Sequence, residues 1–282
     1  MKKFTPILIA LPILLLVILG FIFLKKPNKP VSVEDQESAG ARLVINQLDQ
    51  DKRPFTILSQ HSTGKLLSLY LENTSYIEGA TVDLEYLSGD LLKGAKSTLE
   101  SPIADPFAKA FLLGSCSAGG KCSFDKDLIS GSLKLKLKIR DESDIHVLKS
   151  DYFFVDGETT TTDGRLTYTP VGNPIGEILL NTIGLPEKPE GKVELYPIAI
   201  TSTGSETIKG EVEIRKTGIT KVLLYTTSGY QKLDANIGED TVTIKLNHTP
   251  RKETVKIIRD DLKGAEESHT FYILGPIVLL SE

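Results

Sequence analysis

A few stretches of this 282-residue chain hold residues whose types and spacing could do chemistry. Its two cysteines, Cys116 and Cys122, flank the Gly-rich run Ser117-Ala118-Gly119-Gly120-Lys121. Redox-active pairs stand two residues apart at a helix start, which this loop does not provide. A two-cysteine metal site needs further Cys or His close by in sequence, and there is none. In an exported chain the pair is expected as a structural disulfide. Closing so short a loop stabilises by roughly 2 kcal/mol. Ser62-Thr63-Gly64-Lys65 has the ending of a phosphate loop, but Ser59 stands where that motif needs Gly, and a strand pattern follows where it needs a helix. No Gly-x-Ser-x-Gly elbow occurs to anchor a hydrolase triad. His61, His146, His248 and His269 are far apart with no zinc-type spacing, and are expected at the surface or at strand ends.

Acidic groups recur at expected loops: Asp125 and Asp127, Asp141-Glu142-Ser143-Asp144, and Asp260-Asp261. Calcium takes six to eight oxygens, and none of these follows a known calcium-loop pattern, so they are expected as solvated turns. Asn73-Thr74-Ser75 and Asn247-His248-Thr249 match the glycosylation acceptor, as chance allows. The most distinctive surface feature is basic. Lys134, Lys136, Lys138 and Arg140 alternate with Leu135, Leu137 and Ile139, placing four cations along about 20 Å of one strand face. Such a row is either a site for an anionic envelope polymer, lipid headgroup or acidic partner, or else a plain solvated face or the protection of a strand edge. The second reading is the expected one. Cofactors and metals are not expected.

These residues must be positioned by elements that begin at the N-terminus. Met1-Lys2-Lys3 precedes an uncharged apolar run, Ile7 to Leu24, closed by Lys25 and Lys26. As a helix that run is about 27 Å long, close to what a bilayer core requires. A cleaved signal is the competing reading. Its apolar core is shorter, however, and ends in a small-x-small site that Leu19-Gly20-Phe21-Ile22-Phe23 lacks. Residues 1–26 are therefore read as an uncleaved signal-anchor. Flanking lysines are nearly balanced, and the cysteines favour export of everything beyond residue 30. Residues 27–40, with Pro27, Pro30, Glu34, Asp35 and Glu37, read as a juxtamembrane linker.

About 250 residues remain, a length that suggests two domains. The net charge of −4 gives no global attraction for nucleic acid. Period-two runs dominate: Leu67-Leu69-Leu71, Val82-Leu84-Tyr86, Leu133-Leu135-Leu137, and later Val212-Ile214 and Val242-Ile244-Leu246. Each is a strand with one buried face. Turn signals lie between them, with Ser228-Gly229 and Ile237-Gly238-Glu239-Asp240 expected as hairpin turns. The expected class is all-β. One sandwich spans 41–157, a polar linker 158–164 (Glu158-Thr159-Thr160-Thr161-Thr162-Asp163-Gly164), and a second sandwich 165–282. Ala104 to Leu113 reads as a helical turn or a strand. Ile175 to Ile183 is the one credible helix, with a buried strand as its alternative. Phe271 to Leu280 is a buried final strand bent at Pro276.

The anchor, Leu113-Gly114-Ser115-Cys116 with Cys122, Gly131-Ser132-Leu133-Lys134-Leu135, and Ile183-Gly184-Leu185-Pro186 resemble a class of bacterial surface proteins. In that class a signal-anchor carries tandem immunoglobulin-like or cohesin-like sandwiches. The resemblance implies an architecture and assigns no functional residue. The function expected is a membrane-anchored extracytoplasmic interaction or structural protein of the cell surface, without catalysis. Its partners would be the membrane, and a protein or anionic envelope polymer. The alternative is a tethered enzyme with a site assembled from distant loops.

Overall fold

Alternation of apolar and polar residues shapes most strands. Along Ile208–Arg215 the side chains of Ile208, Val212 and Ile214 are buried while Lys209, Glu211, Glu213 and Arg215 face outward. The computed structural model describes residues 42–117, 121–204 and 207–281. The signal-anchor (1–26) and the juxtamembrane linker (27–40) lie outside them. Among the described residues no helix is long and apolar enough to cross a membrane.

The first strands are β1 (Leu43–Ile45), β2 (Phe55–Gln60), β3 (Leu66–Glu72), β4 (Ile77–Ser88), β5 (Leu91–Glu100) and β6 (Phe107–Leu112). A small hairpin follows, β7 (Gly114–Cys116) and β8 (Cys122–Phe124), then β9 (Leu128–Ile139) and β10 (Ile145–Phe154). Next come β11 (Thr159–Thr160), β12 (Leu166–Pro170), β13 (Ile178–Asn181), β14 (Lys192–Val193), β15 (Ile198–Ser202) and β16 (Ile208–Arg215). The chain closes with β17 (Lys221–Thr226), β18 (Gly229–Lys232), β19 (Asn236–Ile237), β20 (Thr241–His248), β21 (Arg251–Arg259) and β22 (Ala265–Ser281). The only helical turns among the described residues are the 3-10 turns Gln50–Lys52 and Asp260–Leu262.

The class is all-β, and sandwich-like. The larger sheet runs β2-β3-β6-β21-β22-β15-β13-β10-β9-β4-β5, and a second runs β11-β12-β16-β20-β19. Thr159–Thr160, inside the segment expected as a linker, is itself a strand paired with Tyr168 and Thr167. Strands from either side of it are hydrogen-bonded neighbours: β10 pairs β13, with Tyr152 opposite Leu180. Likewise β6 pairs β21 in parallel, with Lys109 opposite Ile258. The described residues accordingly fall within one contact unit.

Two apolar cores lie on opposite faces of a shared layer. Ile178 and Leu180 enter the core built with β2, β3, β4 and β9, while Leu179 enters the one built with β12, β16 and β20. Ala199 and Ile200 divide in the same way, as do Ile273 and Leu274. Strands buried on both faces read as continuous apolar runs, without alternation. That is why Ile175–Ile183 resembles a helix in sequence; the structure places strand β13 (Ile178–Asn181) within it. The Ala104–Leu113 stretch contains strand β6, and the final strand carries Gly275-Pro276 within it.

Gly131 shows why one motif residue is fixed. A Cβ there would collide with the Glu85 carbonyl and the Tyr152 ring. The Tyr152 hydroxyl donates to the Glu85 carbonyl oxygen at 3.1 Å, across the β4–β9–β10 ladder.

Candidate functional site

Along β21 the residues Arg251, Glu253, Val255 and Ile257 share one face, and their partners on β22 are Ile273, Phe271, His269 and Glu267. This face packs against β2 and β3. The Tyr70 ring lies 5.3 Å from Phe271 and 6.5 Å from Phe55, between centroids. A polar cluster stands at each end of this aromatic column.

At one end the His61 and His269 rings stack at 4.9 Å, although the two residues come from opposite ends of the described chain. Thr63 N–H donates to His61 Nδ1 at 3.2 Å, so the ring proton sits on Nε2 and is given to Glu267 Oε1 at 3.0 Å. Arg259 Nη1 donates to both Glu267 oxygens at 2.9 and 2.8 Å. Its Nε and Nη2 take Asp261 at 2.9 and 2.6 Å. Burial alone would raise the Glu267 carboxyl, but hydrogen bonds from Arg259 and His61 outweigh it and hold the group below its ordinary value. For His269, burial and then the neighbouring His61 push the imidazole down to about 4. The ring is neutral at pH 7, and its Nε2 is buried without a partner.

At the other end lies Arg251, with a side chain only 6% exposed. Its Nη1 donates to Glu253 Oε1 at 2.5 Å. Its Cζ is 5.3 Å from the Phe55 ring and 5.4 Å from the Tyr225 ring. Nε and Nη2 are buried with no hydrogen-bond partner. Nearby, burial raises the Glu72 carboxyl above its ordinary value, against the Arg251 charge and a hydrogen bond from Tyr70. Tyr225 reaches about 12, through burial and the Glu187 carboxylate that its hydroxyl meets at 3.1 Å.

The residues singled out in sequence have other places. Cys116 and Cys122 face each other across the β7–β8 hairpin, Cα atoms 4.0 Å apart, and are joined as the expected disulfide. Lys134, Lys136 and Lys138 of the basic row sit on β9, which lies between β4 and β10, and Arg140 follows its end. Edge protection therefore does not describe it. Lys134 meets Asp83 at 3.6 Å, Lys138 donates to the Glu142 carbonyl, Arg140 donates to the Ser75 carbonyl at 2.9 Å, and Lys136 stands between Thr81 and Val147 in the ladder.

Several loop carboxylates are ion-pair or hydrogen-bond partners. Asp125 accepts from Tyr86 and Lys93, Asp144 pairs with Arg42, and Asp260 with Lys109. Glu142 meets His146 Nε2 at 2.6 Å. Among the described residues no group of three or more His, Cys, Asp or Glu could hold a metal. His61 and His146 are buried, His61 directly after the end of β2 and His146 at the start of β10, the strand-end places that the sequence suggests.

Sequence reasoning passed over Arg251, Tyr225 and Glu253. Their one available signal was an arginine at an inward position of an alternating strand. Comparison with protein families, with curated proteins and with solved structures finds no match for this chain.

Proposed function

We propose that this chain is a membrane-anchored extracytoplasmic interaction module that acts by binding, not catalysis. The observation that carries the reading is the free edge of β5. This ten-residue strand ends the larger sheet, and among the described residues it pairs only with β4. Leu91 and Leu92 at its start are 63% and 68% exposed. An edge of this length offers a row of backbone donors and acceptors to an extended segment of a partner protein, the β-addition mode of recognition. Lys93 and Lys96 lie along it, as charges on natural edges do, and restrain indiscriminate pairing. The N-terminal apolar run, the disulfide and the resemblance to anchored surface proteins support display outside the cytoplasm.

The test is photo-crosslinking in intact cells, with a photoreactive residue replacing Leu92 on the edge or Lys245 on β20. Discrete adducts from position 92 and none from 245 are expected, and externally added protease should remove them. Equal labelling from both positions, or none from 92, would reject edge recognition. Adducts that survive protease until the cells are lysed would reject the placement.

A further inference from the structure

Arg251 presents a problem of charge and hydrogen bonding that its own surroundings do not solve. A buried ionised group left without partners costs several kcal/mol in effective desolvation, so unsatisfied donors of this kind call for an explanation. Nη1 is taken by Glu253, leaving Nε and Nη2. Those two N–H groups form one side of the guanidinium, the fork that matches two oxygens of one oxyanion.

Arg259 shows in the same chain what completes such a fork. Its Nε and Nη2 hold the two oxygens of Asp261, and its Nη1 takes Glu267. In Arg251 the carboxylate two residues on takes Nη1 instead, and no group meets the Nε/Nη2 side among the described residues.

The Arg251 end also borders a groove of about 440 Å³. Thr227 and Thr249 line it together with Arg251 and Lys252, while the Tyr225 hydroxyl is held by Glu187 and the Thr226 hydroxyl by the Gly229 carbonyl. No Asp or Glu lines it. Glu253 on Nη1 and the nearby Glu72, whose carboxyl burial raises above its ordinary value, are the carboxylates beside Arg251, and neither meets the Nε/Nη2 side. Planarity points to the class of ligand. A carboxylate lies in the guanidinium plane, whereas a phosphate places oxygens out of that plane, toward the aromatic walls of Phe55 and Tyr225. The fork is out of contact with solvent, so a ligand must displace neighbouring side chains to reach it.

From this geometry we infer that the groove beside Arg251 is a binding site for a small organic carboxylate, held by the Nε/Nη2 fork and bordered by Thr227 and Thr249. The site is separate from the β5 edge and does not depend on its role.

The experiment uses the full chain in detergent micelles, with acetate, acetamide and inorganic phosphate as probes. The Nε–H resonance of Arg251 and the melting temperature are followed in the wild type. Acetate should shift both saturably, with a Kd on the order of millimolar for so small a ligand; acetamide should shift neither, and phosphate should bind more weakly than acetate. Arg251→Lys, which keeps the charge and loses the fork, should weaken acetate binding about tenfold or more. Acetamide matching acetate would overturn the site, as would an unmoved Arg251 resonance in the wild type, a reading that needs no variant to fold. Phosphate binding tighter than acetate would overturn the carboxylate assignment, and unchanged binding by Arg251→Lys would overturn the role of the fork.

Discussion

Arg259 and Arg251 belong to one strand, β21, and share one face of it, yet their donors are matched very differently. Arg259 donates to two carboxylates through Nε, Nη1 and Nη2, and one of them, Glu267, also accepts from His61. Arg251 has one carboxylate and two buried donors unmatched. Hydrogen bonds to charged groups contribute about twice what neutral ones do, whereas an unmatched buried charge is a cost. The first cluster therefore reads as a structural clamp between β2 and the β21–β22 hairpin. The second reads as a site.

The comparison breaks first at Arg259. Arg259→Ala leaves Asp261 and Glu267 without their cation, and should destabilise by about 3 kcal/mol, seen as a lower urea midpoint with an unchanged slope. A loss below about 1 kcal/mol would remove the distinction between the two ends.

His269 comes next. Its folded value of about 4 lies below the ordinary 6.5, so the group favours folding fully above pH 6.5 and loses that contribution as pH falls toward 4. Glu267 and Asp261, both held below their ordinary values, add losses of the same sign at lower pH. His61, Glu267 and Arg259 are the charged or titratable groups acting on His269. His269→Phe should flatten the stability profile between pH 6.5 and 4 by on the order of 1 kcal/mol after allowance for solvent screening. A profile with unchanged slope would place the pH dependence elsewhere.

Arg251→Met sharpens the contrast from the other side. Removing a charge paired through Nη1 alone should cost less than about 1 kcal/mol or stabilise, since Glu253 is partly exposed and able to hydrate. A loss equal to that of Arg259→Ala would mean that Arg251 is structural. Thr63→Val should have the smallest effect, about 0.5 kcal/mol. The Thr63 backbone N–H still fixes the His61 tautomer after the hydroxyl is lost. Nitrogen NMR of His61 should show the proton retained on Nε2.

Period two was enough to read strands such as β9, β16 and β20, because each buries one face. It misled where a strand buries both, as at Ile178-Leu179-Leu180, and the same double burial hid the shared layer between the two cores. The disulfide was readable because its partners are close in sequence. The two clusters were not, since His61 meets His269 and Phe55 meets Arg251 only once β2 lies against β21–β22. The lysine row was visible as a pattern, but its interior place on β9 depends on pairing with β4 and β10, which local spacing does not encode.

The last described strand has a consequence for how the chain folds as it is made. β22 pairs with β14, β15, β17 and β21, and its side chains complete both cores. A chain synthesised from its N-terminus exposes β2, β3, β4 and β9 long before Phe271, Ile273 and Leu279 arrive. Neither core closes until that segment emerges, so the earlier part stays open until late in synthesis. Such delay leaves apolar strands such as Leu66–Glu72 in need of a holding factor until the C-terminal segment has joined them.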